Sequence, residues 1–155
     1  MNNITLLQPQ RIIFGEKSIE KLSKDFIVET SNKILILIAE PVVGLFRDII
    51  STLKNSGKEV LELAYTFPGE PTFNQFDVLL AQSEAFNPDC VIGVGGGSVL
   101  DVAKLLAAMT GNKQKYTDVV GVNLLQKRMK KLVCIPTTSG TGSEVSPIAI
   151  LLNEA

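Results

Sequence analysis

Residues 90–104 read Cys-Val-Ile-Gly-Val-Gly-Gly-Gly-Ser-Val-Leu-Asp-Val-Ala-Lys, and the way this stretch changes character decides the fold. Cys90-Val91-Ile92 is a short apolar run rich in β-branched residues, bounded behind by Asn87-Pro88-Asp89, which marks a buried strand. The chain then breaks into Gly93, Gly95, Gly96 and Gly97, closes with Ser98, and resumes with Val99, Leu100, Val102, Ala103, Leu105 and Leu106 at helical spacing. Strand, glycine turn and helix form the geometry in which backbone N–H groups at a helix start face an anion, above all a phosphate. Glycine lets the backbone come close to such a ligand, and Ser98 as N-cap would satisfy a free amide or donate to the ligand. A tight turn between two core elements needs only one glycine, so three in succession followed by a cap residue favour the phosphate reading.

Outward from this stretch the chain alternates. Arg11-Ile12-Ile13-Phe14 reads as a short strand stopped by Gly15, and Ser18 to Phe26 places Ile19, Leu22 and Phe26 on one helical face. Ile34 to Ala39 is a continuous apolar run of strand length, the signature of a strand covered on both faces. Glu40-Pro41 opens a helix that carries Leu45, Phe46, Ile49, Ile50 and Leu53 and stops at Gly57. Lys58 to Ala64 reads as another strand, Pro68 to Thr72 as a rigid loop, and Thr72 as the N-cap of a helix from Phe73 to Phe86. After the glycine-rich unit comes a looser stretch, Gly111 to Gln126, then a strand Leu132 to Ile135 ending at Pro136. Strands alternating with helices at this spacing predict an α/β fold with a doubly wound, mostly parallel, Rossmann-like sheet, with an added N-terminal strand and room for a C-terminal hairpin strand.

Ligands of such sheets bind at the carboxyl ends of the strands, near the reversal of strand order. Three segments fall there: Gly93 to Ser98, the Ala39-Glu40 turn, and Pro136 to Glu144. The last, Pro-Thr-Thr-Ser-Gly-Thr-Gly-Ser-Glu, packs five hydroxyls and two glycines into one loop. Hydroxyls bond ribose and phosphate oxygens without adding charge. Taken alone the loop reads equally well as an ordinary hydroxyl-rich turn; beside the glycine turn on one sheet edge, it favours a nucleotide. Gly93-x-Gly95-x-x-Ser98 approaches the dinucleotide fingerprint but ends in serine and does not follow the first strand, and no Gly-x-x-x-x-Gly-Lys-Ser/Thr sequence is present.

Composition removes other classes. The 155 residues suit one domain, with 45% hydrophobic and only 20% charged residues, as expected for a sheet buried on both faces or a surface meant for a partner. A net charge of -1 gives no pull toward nucleic acid or an anionic membrane. The run Lys127-Arg128-Met129-Lys130-Lys131 reads as a solvated lead-in to the following strand. Met1-Asn2-Asn3-Ile4 lacks the charged and apolar regions of a signal peptide, and no apolar segment reaches the ~20 residues of a membrane span, so a cytoplasmic location is expected. Cys90 and Cys134 sit in apolar runs and read as small buried hydrophobes. The chain contains no histidine, which leaves it without the commonest metal ligand and general base.

Gly95-Gly96-Gly97-Ser98-Val99-Leu100-Asp101-Val102-Ala103-Lys104 and Ile135-Pro136-Thr137-Thr138-Ser139-Gly140-Thr141-Gly142-Ser143-Glu144-Val145, in this order, resemble the iron-containing (group III) alcohol dehydrogenase family. Ile13-Phe14-Gly15 and Gly69-Glu70-Pro71-Thr72 resemble the same family's N-terminal domain, so the likeness spans nearly the whole chain. The resemblance implies a nicotinamide dinucleotide, NAD or NADP, across the sheet edge. Gly96, Gly97 and Ser98 would hold its diphosphate with Gly95 beside them. Thr137, Thr138 and Thr141 would line the adenosine and nicotinamide sides, and Ser146 would lie near the nicotinamide end. Asp101 belongs to the motif either as a ligand contact or as an anchor of the glycine loop, and Lys104 reads as a solvated helix residue. Ala39 occupies a position where members favouring NAD carry aspartate. Alanine removes that acid's repulsion of a 2′-phosphate, so NADP is expected to be tolerated unless Glu40 substitutes. Glu70 departs from the asparagine common before Pro71.

In the family, catalysis belongs to a second, helical domain that binds divalent iron or zinc through an aspartate and several histidines. The metal polarises the oxygen of the small alcohol or aldehyde while hydride passes to or from the nicotinamide. Residues 1–155 are thus expected to be the dinucleotide-binding domain of a longer enzyme, binding nucleotide without turnover alone and leaving room for a homodimer. A non-catalytic nucleotide-binding or assembly module is the alternative from another class. Maleylacetate reductases, glycerol dehydrogenases and dehydroquinate synthases share the architecture, and the Thr137 to Glu144 motif favours the alcohol dehydrogenase branch.

Overall fold

A computed structural model describes residues 9–154; Met1 to Ile4, read above against a signal peptide, lie outside the described residues. Four strands, β1 (Lys33–Ala39), β2 (Glu59–Tyr65), β3 (Cys90–Gly95) and β4 (Lys131–Pro136), form one parallel sheet in the order β2-β1-β3-β4. Strand order reverses between β1 and β3, which places the switch point between the ends of those two strands. Ile34 to Ile38 of β1 are all buried, as are all residues of β3, because helices cover both faces. Each large side chain removed from water there contributes roughly 2 kcal/mol.

Helices α1 (Phe26–Glu29) and α2 (Val43–Asn55) cover one face, where Val28, Ile50 and Leu53 pack on Ile34, Ile36, Ile38, Ile92 and Val94. Helices α3 (Phe73–Phe86) and α4 (Gly97–Met109) cover the other, where Phe76, Leu79, Val102 and Leu106 pack on Leu35, Leu37, Leu63 and Val91. Helix α3 starts where the sequence places it. The Thr72 hydroxyl accepts from the Gln75 N–H at 3.3 Å, and the Gln75 side chain accepts from the Thr72 N–H at 3.1 Å.

Several readings are corrected. Arg11 to Phe14 forms no strand among the described residues; it has no ladder partner, and Phe14 is 99% exposed. Ser18 to Lys24 is a 3₁₀ turn, and the α-helix begins only after Asp25, whose extended backbone breaks the chain and whose carboxylate accepts from the Ile27 N–H. Phe26 consequently faces solvent and Val28 enters the core. The Glu40-Pro41 turn is 3₁₀ (Glu40–Val42) before α2 proper, which leaves Leu45 exposed. No C-terminal hairpin forms among the described residues; Leu152 instead makes a single parallel bridge with Thr72. Lys130 and Lys131 are not merely solvated. Lys130 Nζ donates to Asn87 Oδ1 at 2.6 Å, and Lys131 Nζ donates to the Thr30 carbonyl and hydroxyl just past the end of α1. Among the described residues no helix is long and apolar enough to cross a membrane.

Candidate functional site

The four strands end together at one edge. Ala39 pairs with Tyr65, Gly95 pairs with Pro136, and the Thr137 N–H donates to the Gly95 carbonyl at 3.0 Å. The ladder between β3 and β4 therefore runs directly into the two loops that the sequence marked.

The glycines divide into two kinds. Strand β3 extends further than its apolar run suggests, and Gly93 and Gly95 belong to it. A Cβ on Gly93 would stand 2.6 Å from Ala103 Cβ, and one on Gly95 would stand 2.7 Å from Val99 Cβ. These two glycines let α4 pack hard against its own strand. Gly96 and Gly97 face the hydroxyl-rich loop instead: a Cβ on Gly96 would lie 3.2 Å from Thr138 Oγ1, and one on Gly97 would lie 3.2 Å from Thr141 Cγ2. Thr137, Thr138 and Thr141 are exposed in this loop.

The N-cap of α4 is Gly96 rather than Ser98, because the strand and the turn each run further than the apolar pattern shows. Ser98 lies in the first helical turn, and no side chain caps this helix. The N–H groups of that turn carry the positive end of the helix dipole and lack intrahelical acceptors. Ser98 Oγ donates instead to Glu70 Oε2, at a long 3.4 Å.

Beneath the site Asp101 is buried, and its carboxylate is fully engaged. Oδ1 accepts from the Ser143 hydroxyl and lies 2.8 Å from Lys104 Nζ, and Oδ2 accepts from the Ile150 N–H at 3.0 Å. Lys104 also donates to the Ser143 carbonyl at 3.0 Å, to the Ser146 carbonyl at 3.3 Å and to the Ile148 carbonyl. The lysine is thus a clamp on the loop that carries the hydroxyls, not a solvated helix residue. Ser146 sits inside the clamped segment, where its hydroxyl accepts from the Ile148 N–H at 3.1 Å and its own N–H donates to Gly142. Burial pushes the Cys90 thiol up to about 12 and that of the half-buried Cys134 up to about 11.

A bare helix N-terminus, glycines that admit Thr138 and Thr141 close to its first turn and a rim of neutral hydroxyls suit the diphosphate and ribose of a dinucleotide. The model of a family described as iron-containing alcohol dehydrogenase matches residues 9–155. The chain belongs to the iron-containing alcohol dehydrogenase family. It is 37% identical over 125 residues to long-chain-alcohol dehydrogenase 1 of Geobacillus thermodenitrificans, a match covering 77% of this chain and 31% of that protein. It is 34% identical over 167 residues to aldehyde-alcohol dehydrogenase 2 of Entamoeba histolytica, covering 92% of this chain and 18% of that one. The structure of an iron-containing alcohol dehydrogenase from Thermococcus thioreducens superposes with a TM-score of 0.84 at 28% identity, over 97% of this chain and 41% of that one. The chain therefore spans well under half the length of these relatives.

In this member of the family Gly96 and Gly97 face Thr138 and Thr141, Ser98 follows in the first turn of α4, and Ala39 is half-buried at the end of the neighbouring strand. Asp101 lies beneath the site as the anchor of the loop. Among the described residues no three His, Cys, Asp or Glu side chains group to hold a metal ion. Sequence reasoning missed the clamp role of Lys104 and the approach of Glu70 to Ser98. The i, i+3 spacing of Asp101 and Lys104 signalled an ion pair, but nothing local pointed to the distant carbonyls that complete it.

Proposed function

We propose that this chain is the nucleotide-binding part of a metal-dependent alcohol dehydrogenase that moves hydride between a nicotinamide dinucleotide, NAD or NADP, and a small alcohol or aldehyde in the cytoplasm. One observation carries the reading: the uncapped first turn of α4 faces the Thr137 to Thr141 loop at the switch point of the sheet. The amides of Gly97 and Ser98 would hold the diphosphate, and Gly95 would keep the strand close enough for α4 to present them. Thr137, Thr138 and Thr141 would donate to ribose and phosphate oxygens, and Ser146 would border the nicotinamide. Asp101 and Lys104 act through the loop by holding it against α4. The bound nicotinamide supplies or accepts the hydride.

Residues 1–155 work in this account as one dinucleotide-binding domain of a longer two-domain enzyme. The chain has no histidine, so a divalent iron or zinc would be held by residues outside it. This domain binds the dinucleotide on its own and does not turn over alcohol.

Titration with NADH tests the reading. The chain has no tryptophan, so the emission of the bound reduced nicotinamide is followed directly. A saturable rise in that emission, reversed by excess NAD, is expected. No binding up to millimolar NADH would overturn it.

A further inference from the structure

The dinucleotide reading leaves one position unexplained. In doubly wound sheets the ribose next to the glycine turn lies over the end of the neighbouring strand, where an acid accepts from its 2′-hydroxyl. Here the glycine turn follows β3 and the neighbouring strand is β1, which ends at Ala39, a residue without a polar side-chain atom. The next strand outward is β2. Its last residue, Tyr65, pairs with Ala39, and the loop that follows carries Glu70 back to the first turn of α4, 3.4 Å from Ser98 Oγ. An acid therefore stands at this corner, delivered from a different strand.

Tyr65 ends the strand beside this corner. It is 6% exposed, and its hydroxyl is a buried side-chain polar atom with no hydrogen-bond partner among the described residues. Buried donors are rarely left so. Burial, and after it the Glu70 charge, raise the phenol above its ordinary range. Glu40 is exposed at the start of the 3₁₀ turn, with no such tie to α4.

We infer that Glu70 is the residue that selects between the two nicotinamide dinucleotides, its carboxylate accepting from the adenosine ribose hydroxyls and repelling a 2′-phosphate. The inference rests on the dinucleotide reading above. It reverses the expectation drawn from Ala39 alone: the chain prefers NAD. Tyr65 is the positioning residue. When Ser98 turns to the diphosphate, the Tyr65 hydroxyl donates to the Glu70 carboxylate and holds it over the ribose.

Parallel titrations with NADH and NADPH, in the wild type and in Glu70→Gln, Glu40→Gln and Tyr65→Phe, test this. The wild type is expected to bind NADH about tenfold more tightly than NADPH, as a carboxylate facing a phosphate across a partly screened crevice implies. Glu70→Gln should shrink that ratio about fivefold or more, chiefly by tightening NADPH. Tyr65→Phe should shrink it less, and Glu40→Gln should leave it unchanged. An unchanged ratio in Glu70→Gln, or a ratio set by Glu40, would overturn the assignment while leaving the dinucleotide site intact. An unchanged ratio in Tyr65→Phe would remove the positioning role. Failure of the wild type to bind either dinucleotide would overturn the site and the assignment together.

Discussion

Lys104 Nζ lies 2.8 Å from Oδ1 of Asp101, three residues earlier on α4, and their side chains are only 12% and 10% exposed. This buried pair has no charge left over. The aspartate accepts from the Ser143 hydroxyl and the Ile150 N–H, and the three protons of the lysine go to the carbonyls of Ser143, Ser146 and Ile148. The helix that offers its amino end to the site thus also fixes the loop that forms the opposite wall.

Lys104→Met removes the cation and leaves a buried carboxylate beside three orphaned carbonyls. A stability loss of about 3 kcal/mol in urea unfolding is expected. The double variant Lys104→Met/Asp101→Asn should recover part of it, because the stranded charge is gone. A loss below about 0.5 kcal/mol in the single variant would mean that the pair behaves as a surface ion pair.

The two kinds of glycine separate by substitution. Gly93→Ala drives a methyl to 2.6 Å from Ala103 Cβ, a contact between a central strand and its own helix, and should cost about 3 kcal/mol. Gly96→Ala meets only the Thr138 side chain at 3.2 Å, on an exposed loop, so stability should change by less than about 1 kcal/mol. Its effect should fall on NADH, with affinity about tenfold lower, because the methyl stands between the first turn of α4 and Thr138. Equal stability losses in the two variants would contradict this division.

How much of this was legible depends on how far away each residue's partner lies. The strands around Ile34 to Ile38 and Cys90 to Ile92 were readable because burial on both faces leaves an unbroken apolar run. The start of α3 was readable because Thr72 and Gln75 sit three residues apart. Arg11 to Phe14 carries the same apolar signal without a strand to pair with among the described residues, and so misleads. An apolar run that stops at Ile92 places the turn at Gly93 and the cap at Ser98, yet β3 uses Gly93 and Gly95 as strand residues that admit α4. Lys104 and Glu70 meet partners far along the chain, at Ser146 and Ser98, which no local pattern encodes. The loops that form the site were legible in composition; what holds them was not.

Acid stability should register Asp89, at the opposite edge of the sheet. Its carboxylate accepts from the N–H groups of Lys33 at 2.9 Å and Asn32 at 2.8 Å. The Lys33 hydrogen bond first, then that of Asn32 and the charges of Lys131 and Lys130, outweigh burial and hold the acid below its ordinary range. A folded-state pKa below the unfolded value of about 3.9 stabilises the protein at higher pH, and the gain disappears as pH falls through the folded value. Asp89→Asn should lower stability by roughly 1 kcal/mol at neutral pH, discounted for exposure, and should flatten its decline below about pH 4. Urea midpoints across an acid titration measure this; parallel curves for wild type and variant would contradict it.

The central claim is that the bare amides at the start of α4 receive the diphosphate. Amide hydrogen exchange at Gly97, Ser98 and Val99, followed with and without saturating NADH, tests it most directly. These amides lack side-chain caps and should exchange rapidly in the free protein, then slow about tenfold or more with NADH bound. Saturable NADH binding that leaves these amides exchanging at the free rate, with protection appearing elsewhere, would contradict the account.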